Sequence, residues 1–101
     1  MIPTGIRAQI EPGWFLMMLP RSGLGFKYGM RLANTAGIID SDYFYTDNEG
    51  HIFIKITNLG DKPLCVEKGK AFAQGVFVEY GITVDDDAVA LRTGGFGSTD
   101  K

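Results

Sequence analysis

In "GIIDSDYF" two aspartates flank a serine and an aromatic follows. A carboxylate such as Asp40 can take a proton from water if it is positioned and partly shielded. Asp40 and Asp42 share a face if the segment is a strand and diverge if it is a turn, and Asp- and Ser-rich turns are common without any chemistry. "PRSGLGFKYG" carries Arg21, Ser22 and Gly23. Backbone N–H groups in a glycine turn or at a helix start attract anions, although "RSG" is also ordinary turn composition. The end of the chain, "RTGGFGSTDK", offers the planar donor fork of Arg92, the flat face of Phe96 and the hydroxyls of Ser98 and Thr99. Such a set suits a lid over a phosphorylated aromatic ligand. It also suits a frayed terminus.

Other residues invite plainer readings. His51, the single histidine, falls on the polar side of an alternating run and reads as a solvated surface residue. Asp85, Asp86 and Asp87 can attract a hard cation but read as a solvated loop. Cys65 has no partner for an internal disulfide and reads as a small buried hydrophobe in a reducing compartment. Gln74 follows the turn "EKGK" on a half-buried strand.

The elements that must position these groups are mostly short strands. "GIRAQI" alternates Ile6, Ala8 and Ile10 against Arg7 and Gln9, the period of a half-buried strand. "WFLMML" is a continuous apolar run before Pro20 and reads as a strand buried on both sides, partly against another subunit. "HIFIKI" sends Ile52, Ile54 and Ile56 to one face. "FAQGVFVEY" places Phe72, Gln74, Val76, Val78 and Tyr80 on one face. Only "RSGLGFKYG" can hold a short helix. The sum is an all-β domain, a sandwich or jelly roll.

Composition bounds the rest. A chain of 101 residues makes one domain with a modest core. Its 14 glycines and 12% aromatics suit strands and tight turns. A net charge of −2 gives no reason to expect nucleic acid or an anionic membrane as partner. No apolar run is long enough to span a bilayer, and a cytoplasmic protein is the expectation.

Each motif is weak alone, but "PRSGLGFKYG", "NTAGIIDSDY", "GKAFAQ" and "RTGGFGST" in this order and spacing resemble four of the five motifs of the trimeric deoxyuridine triphosphatases (dUTPases). The resemblance runs from about Pro3 to Lys101. It implies a dUTPase-like jelly roll (β-clip), with residues 1–91 as core and 92–101 as a mobile lid. It implies hydrolysis of dUTP to dUMP and pyrophosphate with Mg²⁺, by a homotrimer whose sites combine motifs from different subunits. On that resemblance Asp40 is the base for the attacking water, and Tyr43 lies under the deoxyribose where a 2′-hydroxyl would clash. Asn34 through Ile39, with Gly37 among them, read uracil through the backbone. Arg21, Ser22 and Gly23 contact phosphate, and Gln74 sits near the α-phosphate. In the lid, which includes Gly97, Phe96 covers the uracil while Arg92, Ser98 and Thr99 hold the γ-phosphate.

The sequence departs from the family pattern in three places. The first motif, an Ala-Gly-x-Asp segment whose Asp holds Mg²⁺ through water, has no counterpart. An N-terminally shortened jelly roll with weakened Mg²⁺ binding is the expectation, with a start at an internal methionine or a different metal site as the alternatives, and no residue here is assigned to metal. The glycine usual after the Asp-Tyr pair is replaced by "FYTDNEGH", which implies a different hairpin. "RTGGFGSTD" is one residue short of the usual spacing, and Asp100 stands where Gly is common. Two alternatives share the fold: a dCTP deaminase-like enzyme, and a non-catalytic trimeric nucleotide-binding module.

Overall fold

The computed structural model describes residues 1–82. Among the described residues, seven short strands and one short helix follow one another. The expected apolar run forms β2 (Trp14–Pro20), the middle strand of a three-stranded antiparallel sheet ordered β4-β2-β7. On one side, β4 (Gly37–Ile39) pairs Ile39 with Leu16 and Gly37 with Met18. On the other, β7 (Ala73–Glu79) runs the full length of β2, from Trp14 opposite Glu79 to Pro20 opposite Ala73.

Two further pairs complete the arrangement. β1 (Ile2–Pro3) pairs with β5 (Phe53–Ile54), and β3 (Met30–Leu32) with β6 (Ile56–Asn58). The "HIFIKI" run therefore serves two sheets and changes partner around Lys55. Its alternation holds: Ile52 and Ile54 are buried, Ile56 is partly buried, and Lys55 is exposed. With Ile10, Leu16, Leu32 and Tyr43, the two buried isoleucines form the core cluster. Between β2 and β3 lies α1 (Ser22–Tyr28), the helix expected in "RSGLGFKYG". Gly29 ends it, donating its N–H to the Gly25 carbonyl at 3.1 Å.

Three expectations are corrected. Residues 6–10 form no strand, and Ile6 is 60% exposed while only Ala8 and Ile10 turn inward. After the Ile6 carbonyl accepts the Ile52 N–H at 2.9 Å, this segment enters no strand ladder, so its alternation lacks the pairing that makes a strand. β2 is not buried on both sides in the single chain; Leu16 alone is fully buried and its neighbours are half-exposed. Cys65 is exposed rather than buried, because it lies in the strandless stretch between β6 and β7. β7 leaves Val76, Phe77 and, just after it, Tyr80 exposed, so neither of its apolar faces is covered along its length within one chain.

Candidate active site

A cavity of about 350 Å³ opens between the 32–39 hairpin, β5 and the turn that follows Asp40. The hairpin is tight: the Thr35 N–H donates to the Leu32 carbonyl at 2.9 Å and the Ala36 N–H to the Asn34 carbonyl at 2.8 Å. Its side chains are small at Ala33, Ala36 and Gly37, so its backbone is accessible to the edge of a ligand. A Cβ at Gly37 would press to 3.2 Å on the Met18 Cβ, which limits this wall to glycine or a local shift. Asn34, Gly37, Ile39 and Tyr43 all line the cavity.

Tyr43 forms the floor and is 3% exposed. It sits in a 3₁₀ turn, Ser41–Tyr45, that begins right after Asp40. The Tyr43 N–H donates to the Asp40 carbonyl at 3.1 Å, closing that turn. Asp40 and Asp42 therefore flank a turn residue and do not share a strand face. Asp40 is exposed and follows Ile39, a lining residue of the cavity.

The phosphate-type residues gather elsewhere. Arg21, Ser22 and Gly23 open α1 and are exposed. Gln74 lies opposite Leu19, and its Nε2 donates to the Pro20 carbonyl at 3.1 Å. Arg21 and Gln74 thus share one end of the β2–β7 pair. Asp40 lies toward the other end, because Ile39 pairs with Leu16, five residues before Arg21 and three before Leu19, while the cavity reaches along β2 as far as Met18. At 3.3 Å per residue, Ile39, the residue before Asp40, is offset along the strand by roughly 17 Å from Arg21 and roughly 10 Å from Gln74. Arg92, Phe96, Gly97, Ser98 and Thr99 lie outside the described residues, as do Asp85, Asp86 and Asp87.

His51 differs from its solvated reading. Its Nε2 accepts the Gly5 N–H at 3.0 Å, its ring rests 4.3 Å from Phe53, and its carbonyl accepts the Tyr43 hydroxyl at 2.6 Å. It ties the N-terminal segment to the floor of the cavity. The "FYTDNEGH" stretch, read only as a departure, supplies the residues that back Tyr43: Thr46, Asn48 and Gly50. The turn-forming string "TDNEG" was the available signal. Phe53 and Met18, also on the cavity wall, carried no signal beyond hydrophobicity. Among the described residues, no three His, Cys, Asp or Glu side chains converge to hold a metal ion.

Short antiparallel sheets around a backbone-walled pocket with an aromatic floor define an all-β protein with a concave site. The chain matches the dUTPase family model over residues 1–100. It is 42% identical over 102 residues to the deoxyuridine 5′-triphosphate nucleotidohydrolase of Lactococcus lactis, covering 98% of this chain and 68% of that one. The Escherichia coli K12 protein of the same name is 38% identical over 107 residues, again with 68% of its length covered. The crystal structure of dUTPase from Streptococcus mutans superposes with a TM-score of 0.72 at 38% identity. That match covers 80% of this chain and 64% of the other, so this chain spans about two thirds of its relatives' length. The chain belongs to the dUTPase family, and its fold is the all-β jelly roll of that neighbour.

Proposed function

We propose that this chain binds dUTP and hydrolyses it to dUMP and pyrophosphate. The observation that carries the reading is the cavity itself, which unites Asn34, Gly37, Ile39 and Tyr43 beside Asp40 in a member of this family. The hairpin backbone offers N–H and C=O groups to the edge of uracil, and Tyr43 supports the sugar. Asp40 takes a proton from water as the water oxygen attacks the α-phosphorus. The bond to the bridging oxygen breaks and pyrophosphate leaves with that oxygen. Arg21, Ser22, Gly23 and Gln74 counter the charge of the phosphates.

On one chain Asp40 and Arg21 are offset along β2 by roughly 17 Å. A homotrimer that sets Asp40 of one copy against Arg21 and Gln74 of the next supplies the missing proximity. The half-exposed faces of β2 and β7 are the apolar surface such an assembly would cover. Arg92, Phe96, Gly97, Ser98 and Thr99 complete this reading as a lid over the bound nucleotide. Mg²⁺ would supply charge neutralisation at the triphosphate. The steps assigned to the chain use its own residues alone.

Product analysis with dUTP tests the reading, with dCTP alongside. Formation of dUMP and pyrophosphate from dUTP alone is expected. A rise in melting temperature with dUTP but no turnover would leave a nucleotide-binding module. Deamination of dCTP would move the chain to the deaminase class.

A further inference from the structure

We propose that the Thr46–Asn48 turn is a positioning element that locks the Tyr43 ring and thereby sets the preference of the pocket for deoxyribose over ribose. The role rests on the cavity being a dUTP pocket.

Tyr43 is held at both ends. Its hydroxyl donates to the His51 carbonyl at 2.6 Å and accepts the Asn48 Nδ2–H at 3.2 Å. The other half of the Asn48 amide is occupied: Oδ1 lies 2.6 Å from the Thr46 hydroxyl. With the Thr46 proton on Oδ1, the amide turns its donor toward Tyr43. Thr46 Oγ1 also lies 2.8 Å from the Tyr43 carbonyl, and its single proton serves one acceptor at a time. The Thr46 N–H holds the Tyr43 carbonyl at 3.2 Å in either case. The Gly50 N–H donates back to Thr46 Oγ1 at 3.3 Å and closes the loop. Thr46 is 5% exposed and is the buried polar residue among the described ones.

This arrangement has a consequence for the ligand. A pocket wall rejects one added hydroxyl only as far as it refuses to move. A ring tied at its hydroxyl and at its main chain cannot swing aside for a 2′-oxygen. The stretch that departs from the family motif is the stretch that supplies these ties.

The test is a double-mutant cycle on binding selectivity, using the full chain and the non-hydrolysable α,β-imido analogues of dUTP and UTP. Tyr43→Phe keeps the ring and removes its hydroxyl; Asn48→Ala removes the donor. Each should lower the ratio Kd(UTP)/Kd(dUTP) about 5- to 10-fold, the effect of one net hydrogen bond. The double variant should lose no more than either single one. If Asn48→Ala proves unstable at the assay temperature, Asn48→Asp keeps the size and the Thr46 contact while its ionised carboxylate donates nothing to Tyr43. An unchanged ratio in the single variants would overturn the proposal, and so would additive losses in the double. A wild-type chain that binds both analogues equally overturns the sugar role and leaves the dUTP reading standing. One that binds neither removes both.

Discussion

Replacing Gly50 by alanine tests the loop that supports the pocket floor. Gly50 is buried with φ of +73°, a conformation that costs an L-residue about 1–2 kcal/mol. Its added Cβ would also stand 2.7 Å from the Phe44 Cα and 3.0 Å from the Phe44 carbonyl oxygen. Those are backbone atoms of the residue after Tyr43, so no side-chain rotation relieves the contact. Forced repacking of this kind costs about 1–3 kcal/mol beyond the torsional term. Gly69 is the matched control: its φ is +82° and nothing lies within 4 Å of a Cβ placed there. Gly69→Ala therefore carries the torsional cost alone. A domain of this size loses roughly 4–8 °C per kcal/mol, so Gly50→Ala should melt about 10 °C below Gly69→Ala. Thermal unfolding followed by circular dichroism measures the difference. Equal melting temperatures would refute the claim that the 44–50 loop is pressed rigidly against the floor.

Two other outcomes follow from the site and the core. Asp40→Asn should lower turnover of dUTP by about 10²–10⁴-fold while the dissociation constant for a dUTP analogue stays near that of the wild type; full turnover in the variant would remove Asp40 from the mechanism. Ile52 is 2% exposed and anchors the run shared by two sheets, so Ile52→Ala should cost about 2–5 kcal/mol in urea unfolding. A loss below about 1 kcal/mol would mean the site collapses around the change, contrary to the tight core described.

Patterns that depend on local sequence were readable. The unbroken apolar run became β2, Ile52 and Ile54 went inside, and the glycine-bearing stretch after Pro20 became α1. The hairpin and Tyr43 line one cavity. Features that depend on distant partners were not readable. Nothing in "GIRAQI" shows that residues 6–10 find no strand to pair with, since alternation reports which face a side chain takes but not the presence of a neighbour. His51 looked solvated because its partners, the Gly5 N–H and the Tyr43 hydroxyl, are 46 and 8 residues away. The "TDNEG" turn announced a bend without announcing that the bend would grip a tyrosine. Cys65 was assigned inward by residue type, and its loop keeps it outside.

The central claim is that one active site is built from the Asp40 end of one copy and the Arg21 end of another. Mixing inactive Asp40→Asn and Arg21→Ala chains after joint unfolding and refolding tests it most directly. In a randomly mixed trimer about a quarter of the shared sites draw both intact residues from different chains, so turnover should recover to about a quarter of wild type. No recovery from the mixture, with each variant shown to fold and assemble, would mean that both residues act from the same chain and would contradict the account.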